Sequence, residues 1–133
     1  MQENFENFMK KRLTSSTAFI EGDAKPLVEI SVTKGPASIF GPNGSVVNGA
    51  DTVNKVNEKA ATTFTAGGEN SFEILHMAAT DDLAYWTGIQ RAKVKIKESG
   101  KLVPMDLRVT ELFRPENGEW KLFHRHADML KES

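Results

Sequence analysis

The chain of 133 residues contains no cysteine, which excludes disulfide bonds and thiolate metal sites. Its stability must therefore come from packing, and a chain of this length can form one hydrophobic core without such cross-links. The sequence predicts a single domain over residues 1–133. A lack of cysteine is also typical of proteins in reducing compartments, which favours a cytoplasmic location.

Two further absences exclude classes of partner. No apolar run approaches the ~20 residues of a membrane-spanning helix, and the opening segment MQENFENFMKKRL is too polar for a secretory signal. The formal net charge is −1, whereas nucleic-acid-binding domains usually carry a strong basic excess. We therefore expect neither a membrane nor a nucleic acid as partner.

Helical periodicity dominates the first half of the chain. Phe5, Phe8 and Met9 are spaced by three and four positions, which predicts a helix over residues 2–21 that Gly22 stops. Further elements are predicted before residue 70: a short helix from about Ala24 to Val32, a hairpin of ASIF (37–40) and SVVNG (45–49), and a helix that opens at 49–51 and ends at Gly67-Gly68.

Long strands follow one another in the second half. A strand over 70–80 precedes three runs joined by tight turns, namely LAYWTGIQRAKVKI (83–96), LVPMDLRVTELF (102–113) and WKLFHRHAD (120–128). Helices followed by a series of strands indicate an α+β fold. A long antiparallel sheet curls, so helices packed on one face enclose a pocket.

The other face of the sheet carries its own signal. The strand over 83–96 begins with apolar residues on both faces, although helices cover only one face. An apolar face without helices suggests a dimer interface. The alternative is an ordinary mixed surface, because scattered exposed apolar residues are common.

Several segments resemble the nuclear transport factor 2-like superfamily, also called SnoaL-like or ketosteroid-isomerase-like. They are Gly22-Asp23, ASIFGPNGSVVNGAD (37–51) and LRVTELFRPENGEWKLFHRH (107–126). The resemblance implies a cone in which three N-terminal helices pack on a curved antiparallel sheet and enclose a pocket. It also implies a homodimer or a higher homo-oligomer. Members include isomerases, dehydratases, hydrolases and non-enzymatic association domains, so the family does not fix an activity.

The chain is also similar to the association domain of calcium/calmodulin-dependent protein kinase II. The shared sequence motifs are Arg108-Val109, Gly118-Glu119-Trp120 and His124-Arg125-His126. The arginine in that domain lines a polar pocket, which implies a ligand contact for Arg108. A second arginine commonly follows the last histidine there, and Ala127 occupies that place here.

Arg108 is also a candidate by its own chemistry. An arginine in a central strand must be paired or bind an anion, and its guanidinium fork suits a carboxylate. The alternative is a salt bridge to Glu111 or Glu73.

His124 and His126 are two positions apart on one strand and share a face. They could bind a metal ion with Asp128, act as acid–base groups near neutral pH, or bond to neighbours in the sheet. No further ligand cluster and no glycine-rich phosphate loop support a metal or nucleotide. We expect no metal and no cofactor, and His126 is the best candidate for a catalytic residue.

Aromatic side chains complete the predicted site. Trp86 offers a rigid stacking surface for a ligand, while Trp120 fits the core better. The predicted ligand-binding residues are Phe40, Tyr85, Trp86, Arg108, His124 and His126. A single bulge in the last strand would exchange the pocket and interface faces, because the side chains of a strand alternate.

The sequence therefore favours a protein that binds a small organic ligand, with isomerase-, hydrolase- or lyase-type acid–base chemistry as its possible activity. The alternative is a non-catalytic association module built on the free face of the sheet. Ketosteroid isomerase chemistry itself is not expected, because a carboxylate base is missing around ASIFGPNG (37–44).

Overall fold

The structure, a computed structural model, describes residues 3–131. Helices are followed by strands, which confirms the predicted α+β class. The elements in chain order are α1 (Phe5–Ile20), α2 (Lys25–Glu29), β1 (Ser38–Phe40), β2 (Val46–Asn48), α3 (Ala50–Ala61), β3 (Phe64–Ala79), β4 (Ala84–Ile96), β5 (Leu102–Pro104), β6 (Leu107–Glu116) and β7 (Glu119–Met129).

The seven strands form one open, curved sheet in the order β2-β1-β7-β6-β4-β3, with β5 paired to β4. Every pairing is antiparallel except that of β1 with β7, which is parallel. The sheet is therefore mixed, whereas the sequence predicted a wholly antiparallel one. The difference arises because the small hairpin of the first half joins the sheet beside its last strand.

Helix α1 begins three residues after the predicted start at residue 2 and ends one residue before the predicted end at residue 21. The side chain of Asn4 accepts a hydrogen bond from the backbone N–H of Asn7 at 3.1 Å and caps the first turn. The helix ends before Gly22, whose φ of +99° suits glycine. Its buried face continues the predicted stripe and includes a charged residue, Arg12.

The predicted end of α3 at Gly67-Gly68 is wrong, because the helix already ends at Ala61. The hydroxyls of Thr62 and Thr63 donate to the carbonyls of Lys59 and Ala60, at 2.6 and 2.7 Å, and complete that end. Both glycines instead lie in β3, where its register against β4 shifts. A Cβ on Gly68 would lie 2.2 Å from the carbonyl oxygen of Lys93, so the close approach of the strands requires glycine there.

The core lies between α1 and one face of the sheet. We call this the inner face; it carries the buried side chains of Trp86, Val109, Phe113 and Ala127. The rings of Phe5 and Phe8 from α1 meet Phe113 at centroid distances of 5.4 and 5.2 Å. The opposite, outer face carries Tyr85, Arg108, Thr110 and His126. Apolar burial of this kind holds the helices on the inner face.

Within residues 3–131, no helix has the length and hydropathy needed to cross a membrane. The cytoplasmic location stays a prediction from the sequence.

Gly88 of β4 gives a direct test of how closely β3 and β4 approach. A Cβ at this position would lie 2.1 Å from the carbonyl oxygen of Glu73, so the Gly88→Ala change forces the backbones of β3 and β4 apart. We expect a loss of about 2 kcal/mol or more in the free energy of unfolding, measured by urea denaturation. Gly100→Ala is the control: its Cβ meets open space, and its φ of +70° costs only about 1 kcal/mol. Equal losses for the two variants would contradict the predicted clash.

Candidate functional site

A cavity of about 190 Å³ lies between the helices and the inner face of the sheet. Pockets for drug-sized ligands measure about 300–1,000 Å³, so this one suits a smaller molecule. Most of its wall is apolar, with side chains from the helices and the sheet: Phe19, Ile20, Leu27, Val53, Phe64, Met105, Leu107 and Leu122. Its polar lining residues include Ser16, Ser31, Asn57 and Gln90, together with two arginines, Arg12 and Arg125.

A row of three polar side chains crosses the inner face beside this cavity. Trp86 on β4 pairs in register with Glu111 on β6, and Glu111 pairs with Arg125 on β7. Partners in register on antiparallel strands share a face, so the three side chains lie side by side. Arg12 approaches the same point from α1. Four elements therefore meet at one carboxylate.

Glu111 is fully buried and accepts four hydrogen bonds. Its Oε1 accepts from Arg12 Nε at 2.9 Å and from Trp86 Nε1 at 2.7 Å. Its Oε2 accepts from Arg12 Nη2 and from Arg125 Nη1, each at 2.7 Å. All four acceptor sites of an ionised carboxylate are thus used, and two of the contacts form a bidentate arginine pair.

The two arginines keep Glu111 ionised. Burial by itself would raise the pKa of this carboxyl, but the charges and hydrogen bonds of Arg12 and Arg125 outweigh it and hold the pKa at about 2. Burial lowers the pKa of Arg125, and the negative charge of Glu111 partly offsets this lowering. Arginine nevertheless stays protonated in proteins. The cluster thus holds two positive charges and one negative charge, and one positive charge is uncompensated within it.

Arg125 lines the cavity and has more N–H groups than its hydrogen bonds within the described residues use. Its Nη1 donates to Glu111 and its Nη2 donates to Gln90 Oε1 at 2.7 Å, so two of its five N–H bonds are used within the described residues. Gln90 is held in turn by Ser16 and Asn70, at 3.1 and 2.9 Å. The side chain of Arg125 is 20% exposed and that of Arg12 is 3% exposed, so Arg125 is the more accessible of the two arginines.

His124 borders the cavity, although its side chain lies on the outer face of the sheet, like that of Leu112, its partner in register. Its Nδ1 is 2.7 Å from the hydroxyl of Ser38, which also lines the cavity, and its ring contacts Phe40. Partial burial, followed by the neighbouring His126, lowers the pKa of His124. The ring is therefore mainly neutral at pH 7 and can accept a proton.

Four of the predicted ligand-binding residues lie on the outer face, away from this cavity. Arg108 is 63% exposed and makes a bidentate pair with Asp128, at 2.6 and 2.7 Å, rather than with Glu111 or Glu73. His126 lies 3.6 Å from the same carboxylate. The other two, Phe40 and Tyr85, contact the histidines of this face. The expectation that these residues line one pocket with Trp86 is therefore corrected.

Any ligand contact of Arg108 and His126 stays a prediction for the outer face, where both border a shallow depression with Asp128. Within residues 3–131, no group of three or more histidine, aspartate or glutamate side chains is arranged to hold a metal ion.

A bulge in β7 explains the exchange of faces. Leu122 pairs with Phe113 and His124 pairs with Leu112, so Phe123 is an extra residue between them. Trp120 and Leu122 point inward before the bulge, and Arg125 points inward after it. Unbroken alternation would have turned His124 and His126 inward instead. This is the exchange that a bulge in the last strand was expected to cause.

Trp86 lies on the inner face as a buried partner of Glu111 and stacks on Phe72 at 4.6 Å between centroids, and its contact with a ligand stays a prediction. Sequence reasoning missed Arg12, Gln90, Glu111 and Arg125. Two of them could have been noticed in the sequence. Arg12 lies on the apolar stripe of α1, and Glu111 lies two positions from Val109 and from Phe113, on the same face of its strand. A charged residue in an apolar row is a candidate for a buried, paired site.

Comparison with known proteins defines first the class of fold. A candidate dehydratase of the nuclear transport factor 2-like family from Streptomyces avermitilis is similar, with a TM-score of 0.81, 19% identity, and coverage of 96% of this chain and 97% of that chain. A ketosteroid isomerase-like protein from Erwinia carotovora atroseptica gives a TM-score of 0.73 at 17% identity, covering 93% and 94% of the two chains. The calcium/calmodulin-dependent protein kinase II hub homology domain of Chlamydomonas reinhardtii gives 0.71 at 18% identity, covering 93% and 96%. The fold is the nuclear transport factor 2-like cone.

The sequence profile of the SnoaL-like domain matches residues 14–131, and the chain belongs to this family. No curated protein shows significant sequence similarity to it.

The buried carboxylate predicts how the protein responds to acid. The folded-state pKa of Glu111, about 2, lies below its usual 4.5, so its stabilisation is complete above pH 4.5 and is lost as the pH falls toward 2. We expect a decrease of about 3 kcal/mol in the free energy of unfolding from this group, measured by urea denaturation between pH 5.5 and 2.

Asp128 also has a lowered pKa, caused chiefly by its hydrogen bonds from Arg108, so an Asp128→Asn variant serves as the control. The decrease should persist in that variant. A stability that does not change across the window would contradict the ionised, paired state of Glu111.

Proposed function

We propose that the protein binds a small organic anion in the cavity, with Arg125 as its main contact. The observation that carries this proposal is the pairing of two arginines with one buried carboxylate at the edge of an apolar cavity. An uncompensated charge in such surroundings is costly unless a counter-charge or water satisfies it. A bound anion would supply that counter-charge.

The donors and walls of the cavity fit such a ligand. Arg125 retains N–H groups beyond its bonds to Glu111 and Gln90, and a guanidinium binds carboxylates through two parallel hydrogen bonds. Gln90 holds one side of Arg125, and Glu111 holds the other, so the fork is fixed before a ligand arrives. Preorganisation of this kind lowers the entropic cost of binding. Apolar side chains would enclose the body of the ligand.

Isomerase-, hydrolase- or lyase-type turnover would need a group that moves a proton. Among the described residues that line the cavity there is no aspartate, glutamate, lysine or tyrosine, and His124 is the residue whose side chain can accept a proton and give it up again. We therefore assign the acid–base role, if the bound ligand turns over, to His124 rather than to His126. Its mainly neutral state and its contact with Ser38 support this choice.

The two tryptophans make a site-specific assay. Trp86 Nε1 donates to Glu111 inside the cluster, whereas Trp120 Nε1 donates to the carbonyl of Glu3 at 2.7 Å. In a ¹⁵N-labelled sample titrated with hexanoate, we expect the indole signal of Trp86 to shift and that of Trp120 to stay. Arg125→Gln should weaken hexanoate binding about 10- to 100-fold, because a charged hydrogen bond contributes about 1.5–3 kcal/mol.

Arg108→Ala is the matched control, since Arg108 is an exposed arginine on the outer face of the same sheet. Binding should be unchanged in this variant. Loss of binding in Arg108→Ala with retention in Arg125→Gln would move the anion site to the outer face and overturn the proposal. Arg125→Gln should still fold, because Glu111 keeps Arg12 and Trp86 as partners.

We also propose that a second copy of the chain covers the outer face, as the association-module alternative requires. This face exposes apolar side chains, including Leu75 at 66% and Phe40 at 40%. Around the centre of this face, charges are paired within the chain, Arg108 with Asp128 and Arg91 with Glu73. A second copy can therefore approach this central part of the face without bringing unpaired like charges together, and a partner of opposite charge is not required there.

A charge placed on this face should break the dimer. We expect the wild type to sediment as a dimer in analytical ultracentrifugation and Leu75→Lys to shift it to monomer. Val56→Lys adds the same charge at an exposed apolar position of α3 and should leave the dimer intact. A wild-type monomer over the whole concentration range, or equal effects of the two substitutions, would contradict this interface.

A further inference from the structure

We infer that the ligand is a singly charged carboxylate with an apolar body, and that Glu111 is the residue that sets this limit of one charge. The inference rests on the proposed anion site at Arg125 and adds the charge class of the ligand and its determinant. It follows from a count of the charges that the fold brings to the cavity.

Three charged groups define the electrostatics of the cavity. Arg12 gives two N–H groups to Glu111, and Arg125 gives one, so the carboxylate neutralises one guanidinium and is shared by both. The other described residues that line the cavity are uncharged at pH 7, with His124 mainly neutral. The cavity therefore presents one positive charge, and one negative charge on a ligand neutralises it.

A second negative charge on the ligand would find no partner. The walls away from the arginines are mostly apolar, and the other polar groups there are neutral hydroxyls and amides. Moving a carboxylate from water to such surroundings is strongly unfavourable without a counter-charge. A neutral ligand is also disfavoured, because it would displace water from Arg125 and leave the positive charge uncompensated. Both comparisons favour the monoanion.

Glu111 sets the net charge of the cavity, because in the folded protein it always neutralises one of the two guanidinium charges. If position 111 carried a neutral side chain, two guanidinium groups would face the same space and the cavity would suit two negative charges. Glu111 is fully buried and is not one of the residues that line the cavity. It would act through the arginines, as a specificity-determining residue rather than as a ligand contact.

Three molecules with a six-carbon chain test the charge class on the wild type. We would titrate hexanoate, hexanamide and adipate, following the indole signal of Trp86 and the heat of binding. Hexanoate should bind at least 10-fold more tightly than either hexanamide, which lacks the charge, or adipate, which carries a second carboxylate. Adipate binding as tightly as hexanoate would overturn the charge limit while leaving the anion site intact. Failure of both acids to bind would overturn the proposed function itself.

Two variants test the assigned determinant. In Glu111→Gln, the preference for hexanoate over adipate should fall at least 10-fold; an unchanged preference in a folded variant would overturn the role of Glu111. Because removal of a buried ion-pair partner is strongly destabilising, this variant is first checked by circular dichroism. If it does not fold, Arg125→Gln decides: it leaves the cluster neutral and should abolish the preference for hexanoate over hexanamide. A retained preference there would overturn the charge count.

Discussion

The position of Glu111 is the constraint on which the rest of this structure depends. One carboxylate connects α1, β4 and β7 to β6 through Arg12, Trp86 and Arg125. Buried ion pairs are weak evidence for stability, because well-packed apolar side chains of similar volume often serve a fold as well or better. A cluster that costs desolvation and leaves one charge uncompensated is better explained by what it presents to the cavity.

The bulge at Phe123 determines which charges reach that cavity. It turns Arg125 to the inner face and His126 to the outer face, so one extra residue assigns the guanidinium to one surface and the imidazole to the other. The sheet thereby carries two surfaces of different character. The inner one is mostly apolar with a single net positive charge at the cavity, and the outer one mixes exposed apolar side chains with charged ones such as the pair of Arg108 and Asp128.

The order of elements could be predicted because each depends on local spacing and turn chemistry, as in the stripe of Phe5, Phe8 and Met9. The candidate site could not, for two physical reasons. Arg12 and Glu111 are 99 residues apart, and their pairing exists only in the folded chain. The face on which Arg125 lies depends on a bulge that strand alternation does not reveal. The end of α3 was missed because Gly67 and Gly68, which resemble a helix stop, serve a register shift in β3.

The chemistry of the cavity bears on whether binding leads to turnover. Arg12 and Arg125 carry fixed charges that neither give nor take a proton near neutral pH, so they would stabilise a bound anion about equally before and during a reaction. Uniform stabilisation lowers the dissociation constant but does not lower the barrier of the chemical step. Acceleration requires a group whose interaction changes along the reaction, and at the border of this cavity His124 is placed to be that group. If the proposed anion binds, the arginines would account for its affinity, and the acid–base role proposed for His124 would be the part that lowers the barrier.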